Sequence, residues 1–384
     1  MYIENTRKDI TVAIYYFIVL GLMGLGYVLT ERRREPKWTV CYLTVSCLVL
    51  TFFASFRYAI GFDYFSYRNI YKMMEEWTFG DIFSVYWHEP LFYILCKLSC
   101  LLGCSFFVFL SGINLFLFFA AMRFIYLESK MPWVSVGLYI LLQFFAYNMN
   151  LIRQSIALAF FLFAYPYLKN RRVVWFGIFM FIGGLFHNSL WLMMPFYVLL
   201  NQEWSGRYLG IVAAAAGGIY GFCDWILEIL LPFLPEKYGN YLETYFWNSN
   251  GMVYAMPGLI YLGILYGFRK RIREPLLRRI YLNSALYYFL ISLFITKHFI
   301  LERFSVYPFI LSILALPEVI ASDSYRSYQE KGEREEKQDK RYGWVLGICL
   351  GLAGGYFFFA VWKGFHHVYP YVSLLQRGYS LPDR

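Results

Sequence analysis

Apolar residues in this chain run in blocks of about 15 to 25 residues, each closed by a short charged segment, and that spacing limits what the chain can become. The blocks lie at about 10–30, 40–56, 90–103, 105–127, 132–148, 152–168, 173–186, 189–200, 208–222, 252–268, 280–296, 304–321 and 343–362. With 59% hydrophobic and only 16% charged side chains in 384 residues, there is too little polar surface to coat soluble domains. The sequence therefore predicts an all-α polytopic integral membrane helix bundle of about 11–13 apolar segments, one membrane domain over residues 1–384. Secreted enzymes, cytosolic dinucleotide-binding folds and disordered or collagen-like chains are excluded. The blocks at 90–103, 173–186 and 189–200 are short for a crossing, and the parity between Arg57 and Arg171 fails if every block spans once. At least one block, with 90–103 the first choice, is expected to be re-entrant or interfacial.

The net charge of +10 has a topological origin. The segments 31–37, 169–172, 269–279 and 323–341 hold 19 of the 35 Lys and Arg residues, and basic clusters flanking apolar spans mark the cytoplasmic side. That places 57–89, 149–153, 223–251 and 297–303 outside. No basic patch with stacking aromatics stands on a soluble domain, so nucleic acid is not an expected partner. The segment 322–342, rich in both acids and bases, reads as a solvated cytoplasmic linker. The seven cysteines include no CxxC pair, and no DxD pair or His cluster is present, so neither a metal nor another cofactor is expected. Phosphate-loop, GxSxG and HExxH motifs are also missing, which sets aside P-loop transporters, α/β-hydrolases and zincin proteases.

In such a chain the informative residues are the ionisable ones at the membrane boundary, where each is costly unless solvated or paired. The external segment 57–89 mixes charges with aromatics. In it Arg57 precedes Asp63, Tyr64 and Tyr67, and a helix running on from Asp63 puts Asp63, Tyr67 and Tyr71 on one face. A carboxylate and a guanidinium beside phenolic rings suit an anionic, sugar-bearing ligand, while the tyrosines alone equally suit an interfacial aromatic belt. Arg153, followed by Gln154, has no acid within a helical turn, so its partner comes from elsewhere in the fold or from a ligand. It is a candidate pyrophosphate clamp, with snorkelling to headgroups the ordinary alternative. His187 interrupts an apolar stretch and is a candidate base or hydrogen-bond donor. Lys297, His298, Glu302 and Arg303 form a further external cluster in which His298 and Glu302 stand at helical spacing. Glu89 with Pro90 opens the next apolar block, and His366 and His367 read as interfacial decoration.

Taken in order, the run Arg57 to Tyr64 with Tyr67, the Glu89-Pro90 helix start, the Leu-Ile-Arg153-Gln154 block, the Leu-Phe-His187-Asn block and the Glu302-Arg303-Phe block resemble the EpsG family of bacterial exopolysaccharide polymerases. The chain is similar in character to the wider Wzy-like group of O-antigen and capsule polymerases. The likeness covers about residues 40–310. The phenylalanine in Gly61-Phe62-Asp63 departs from the small or hydroxyl residue common in relatives. The resemblance implies a membrane glycosyltransferase with an external-facing cavity in the bacterial inner membrane. It would transfer a growing glycan from undecaprenyl pyrophosphate onto a lipid-linked repeat unit, with no nucleotide sugar.

On that reading Arg153 and Arg57 neutralise the pyrophosphate, Asp63 or His187 deprotonates or positions the acceptor hydroxyl, and Tyr64 and Tyr67 are sugar platforms. Glu89, Gln154, Glu302 and Arg303 line the substrate site. Partners are the lipid-linked oligosaccharide and membrane lipids, with a chain-length regulator and a flippase as functional neighbours. A transporter or flippase of lipid-linked glycans and an integral membrane acyltransferase are the alternatives. The first should carry ionisable groups through the depth of the membrane, where only Lys97 and Arg123 stand; the second needs a catalytic His near a cytoplasmic acyl donor.

Overall fold

The computed structural model describes residues 2–33, 35–230, 251–321 and 340–377. Among these the regular structure is helical, apart from one isolated antiparallel bridge between Arg57 and Ser373. The helices are, in chain order, α1 (Tyr2–Gly26), α2 (Pro36–Ser55), α3 (Tyr64–Glu76), α4 (Phe79–Tyr86), α5 (Pro90–Leu101), α6 (Phe106–Glu128), α7 (Pro132–Leu141), α8 (Phe144–Asn150), α9 (Ile152–Lys169), α10 (Val173–Gly184), α11 (Phe196–Leu199), α12 (Gly206–Gly221), α13 (Cys223–Leu230), α14 (Met256–Gly267), α15 (Pro275–Ile295), α16 (Glu302–Phe309), α17 (Ser312–Ile320) and α18 (Lys340–Lys363). The expected linker at 322–342 lies outside the described residues except for its last three, which open α18.

Helix starts follow local chemistry. Proline opens α2, α5, α7 and α15, where its missing N–H costs nothing. Ser105 caps α6, and Thr78 with Asp81 forms a capping box on α4. Among the described residues four helical segments, Val12–Arg32, Pro36–Ser55, Phe106–Glu128 and Gly343–Lys363, are long and apolar enough to cross a bilayer. The chain is a multi-pass membrane protein. Some other apolar blocks are broken, as at the 46° bend between Phe299–Phe309 and Ser312–Ile320. Block 132–148 is split at Gln143, whose φ of 73° ends α7 and starts α8, and both halves are buried. Helix α5 rises only about 18 Å, short of the roughly 30 Å of a hydrocarbon core.

Contacts divide what the sequence reads as one membrane domain into two compact units, residues 1–192 with 316–384, and residues 193–315. In the first unit α2 packs on α6, α9 on α10, and α3 on α5. Buried side chains of α3, α5, α6 and α9, including Tyr67, Phe92, Tyr93, Phe109 and Ile156, make one apolar cluster. The segment 57–89 thus folds as α3 and α4 against α5. The exposed Phe79, Phe83 and Trp87 of α4 and its exit form an aromatic face suited to the membrane interface.

The loop between α2 and α3 is held from two sides. Its Tyr58 and Gly61 N–H groups donate to the carbonyls of Val372 and His367, at 2.8 Å each, and the Leu374 N–H donates to Phe56. His367 lies against the Phe62 ring at 3.6 Å and His366 is edge-on to Tyr147, so these two histidines belong to a strap across the loop. On the other side Arg57 donates to the carbonyls of Ala54 and Met149, the latter at 2.9 Å.

In the second unit, α14 packs on α15 at Gly258, where a Cβ would come within 2.8 Å of the Phe289 Cα. Asn283 of α15 accepts from Trp204 and Tyr208 and donates to the Leu200 and Gln202 carbonyls, tying the entry of α12 down.

Gly61 has a φ of 92°, and a Cβ there would sit 3.0 Å from the Met149 carbonyl oxygen. Gly61→Ala is expected to destabilise the protein by about 1–3 kcal/mol through backbone strain. Thermal unfolding of the detergent-solubilised protein checks this, and an unchanged midpoint contradicts the loop geometry.

Candidate functional site

Three of the residues singled out in the sequence meet in the first unit. Glu89 holds the N-cap position of α5, Arg153 stands in the first turn of α9, and His187 lies in the break after α10. The Glu89 carboxylate is 1% exposed. Its Oε2 accepts from the Arg153 guanidinium at 3.0 Å, and its Oε1 faces His187 Nδ1 at 3.0 Å while accepting the Asn188 backbone N–H at 3.0 Å. The sequence offered no partner for Arg153 within a turn; the partner is Glu89, 64 residues earlier. Arg153 is thus a compensated cation whose partner comes from elsewhere in the fold. It keeps 26% of its side-chain surface exposed, and its Nε is buried without a hydrogen-bond partner.

The local sequence explains how these groups converge. At the end of α10 the glycine pair Gly183-Gly184 lets the chain turn back: a Cβ on Gly183 would strike Phe160 and Leu190, and one on Gly184 would overlap the Trp191 indole. His187 is delivered on that turn, its N–H bonded to the Gly183 carbonyl at 3.1 Å. The Leu91 N–H at the start of α5 donates to the Leu185 carbonyl, so Glu89 and the turn are joined by backbone as well. Arg153 follows the α8–α9 break at Leu151, which exposes the first turn of α9 to the same point.

Aromatic rings wall the cluster. Arg153 donates to the Tyr93 hydroxyl at 3.2 Å, and its backbone N–H reaches the Tyr67 hydroxyl at 3.5 Å. Tyr93 stacks on Tyr86 with centroids 3.7 Å apart, and Tyr86 on Trp77 at 5.8 Å. Burial pushes the Tyr67 phenol up, Arg153 opposes the rise and Asp63 adds to it. Tyr67 therefore stays a neutral phenol at physiological pH. Tyr93 was not singled out in the sequence, although it stands one helical turn beyond Glu89.

The other expected residues fall elsewhere. Arg57 is fully buried, and burial lowers its pKa to about 10, so it stays charged at neutral pH. Its partners are carbonyls at the C-terminal ends of α2 and α8, with the Tyr64 ring 5.8 Å away, a setting in which two helix dipoles hold a cation. That geometry holds the loop together. Asp63 occupies the N-cap position of α3, its N–H donating to Asn150 at 3.3 Å. Tyr64 is buried on α3, and Gln154 is buried on α9 beside Arg153.

Glu302 and Arg303 open α16 in the second unit. There His298 turns to Asp224 at 2.8 Å and not to Glu302, and Lys297 also binds Asp224, at 3.1 Å. Hydrogen bonds from Lys297 and His298 hold the Asp224 carboxyl below the usual carboxylate range. Asp224 carried no local signal in the sequence that would pair it with residues more than seventy positions away. Among the described residues no group of three His, Cys, Asp or Glu side chains is placed to hold a metal ion.

Chemically, a carboxylate on Nδ1 fixes the imidazole tautomer in which Nε2 is the basic nitrogen. The same carboxylate holds a cation about one side chain away. The cluster thus joins a proton acceptor to a positive charge on one rigid support.

Removing a buried carboxylate from two partners leaves both unmatched. Glu89→Ala is expected to cost about 3 kcal/mol, while Glu89→Gln, which keeps an oxygen for the Asn188 N–H, costs less. Denaturant unfolding in detergent gives the order; equal stability of wild type and Glu89→Ala contradicts the arrangement.

The sequence profile of the EpsG family matches residues 40–373. No curated protein and no solved structure matches the chain.

Proposed function

The chain belongs to the EpsG family, and from that premise we propose that it is a membrane glycosyltransferase of exopolysaccharide-polymerase type whose chemistry is carried by Glu89, Arg153 and His187. The donor is a glycan on undecaprenyl pyrophosphate and the acceptor is a hydroxyl of a lipid-linked repeat unit. The acceptor oxygen bonds to the anomeric carbon of the donor, the bond from that carbon to the pyrophosphate oxygen breaks, and the acceptor proton passes to His187 Nε2. Glu89 stabilises the imidazolium that results, and Arg153 faces the charge developing on the departing pyrophosphate. The observation that carries this reading is the single buried carboxylate joining the base to the cation.

The polarity of the first unit supports action at the external face. Arg153 and Lys169 stand at opposite ends of α9, about 24 Å apart by helical rise. Lys169 pairs with Glu128 at the far end of α6, beside the basic KNRR cluster that marks the cytoplasmic side. The Glu89 cluster is at the other end. Lys97 and Arg123, the cations that suggested a path through the membrane, are used locally: Lys97 caps the C-terminal carbonyls of α3, and Arg123 lies over the Phe163 ring at 5.3 Å. That use favours chemistry at one face over transport.

Purified protein incubated with a synthetic undecaprenyl-pyrophosphate repeat unit is expected to yield longer carrier-linked glycans. His187→Ala lowers the rate about 10²–10⁴-fold, the usual worth of general base catalysis. Full polymer length and yield from Arg153→Ala at normal protein level would contradict the charge role, and unextended substrate with the wild type would contradict the function.

A further inference from the structure

Helix α3 has a second working face. Tyr67 points to Arg153, but Tyr64, Arg68, Tyr71 and Glu75, with Lys72 alongside, line a separate cavity of about 230 Å³ in the first unit. The cavity is closed by Ser55 at the end of α2, by Tyr58, and by Phe106 and Phe107 at the start of α6. It therefore sits at a boundary level where two spanning helices end and begin, within reach of a water-soluble group. Its volume is below the roughly 300–1,000 Å³ of pockets for drug-sized ligands and suits one sugar residue.

Three features define what fits. Tyr58, Phe106 and Phe107 are only half-buried, so they offer ring surface of the kind that stacks on the apolar side of a pyranose. Arg68 is half-buried and Lys72 exposed, and neither has an ion pair among the described residues. A guanidinium unused by the protein, held at a cavity wall, is a fork for a carboxylate. With Glu75 the charged lining sums to a single positive charge, which matches one carboxylate and not the multiple charge of a pyrophosphate. Tyr71 takes no part in recognition through its hydroxyl, which is spent on the Cys104 carbonyl at 2.6 Å and on Ser99 at 3.1 Å.

We infer that this cavity binds an acidic sugar residue of the glycan, stacked on Tyr58, Phe106 and Phe107 with its carboxylate on Arg68 and Lys72. The inference rests on the polymerase reading and adds a substrate class to it: repeat units that carry a uronic acid.

The test is equilibrium binding to the full-length protein in nanodiscs at low salt, using carrier-free tetrasaccharides that differ only in one residue, glucuronic acid or glucose. Inorganic pyrophosphate is the third probe. The glucuronate glycan is expected to bind about five- to tenfold more tightly than the neutral one, the worth of one charge-assisted contact at a partly exposed site. Arg68→Gln is expected to remove most of that difference and Lys72→Gln part of it, with thermal midpoints unchanged. Equal affinity for the two glycans overturns the inference. So does a difference that survives both substitutions, or Arg68-dependent pyrophosphate binding without discrimination between glycans. Because the readout needs no turnover, a protein that discriminates yet fails to polymerise leaves this site standing and removes only the catalytic reading.

Discussion

A carboxylate almost wholly withdrawn from water has to be matched within hydrogen-bond reach, and Glu89 is matched by a guanidinium, an imidazole and a backbone N–H. The guanidinium comes from the start of α9, and the imidazole and the N–H come from adjacent residues of the turn after α10. Meeting that one requirement brings the start of α5, the start of α9 and the turn after α10 to a single point. The short, broken helices of the first unit are the means: a continuous span through residues 132–168 would carry Arg153 into the hydrocarbon, whereas the breaks at Gln143 and Leu151 deliver it to a helix start.

The cations of this unit divide by what holds them. Arg57 and Lys97 bind carbonyls at helix C-termini and stabilise the fold. Arg153 binds a carboxylate and retains an exposed edge. Arg68 and Lys72 bind nothing among the described residues and line a cavity. This gradient from structural to available charge runs through groups gathered around α3 and α5, with Arg153 reaching them from α9. It separates a loop-holding arginine from the proposed reactive cluster and from the proposed recognition surface, although all three carry the same kind of side chain.

Much of the helical, multi-pass character was legible because apolar blocks and proline-led helix starts are local signals. Glu89, Arg153 and His187 were legible as separate polar interruptions of apolar sequence. Their union was not, since the pairs span 64 and 98 residues and no local pattern records a contact at that distance. The same distance hid Asp224 from His298 and made Glu302 look like its natural partner. The part Arg57 plays in the fold was hidden for a related reason: the sequence shows a charge near a boundary but not the carbonyls of two helix ends converging on it. The glycine pair before His187 was the one local sign that the chain turns back there, and its meaning rests on Trp191 and Leu190 filling the space.

In the proposed reaction Glu89, Arg153 and His187 act as one unit. A double-mutant cycle of Glu89→Gln and His187→Ala, read as the rate of glycan extension on a synthetic carrier-linked repeat unit, measures that directly. Strong non-additivity is predicted, with the double variant about as slow as His187→Ala alone, because a carboxylate without its imidazole has little left to contribute to proton transfer. Independent losses that multiply in the double variant would contradict the claim that the carboxylate works through the histidine.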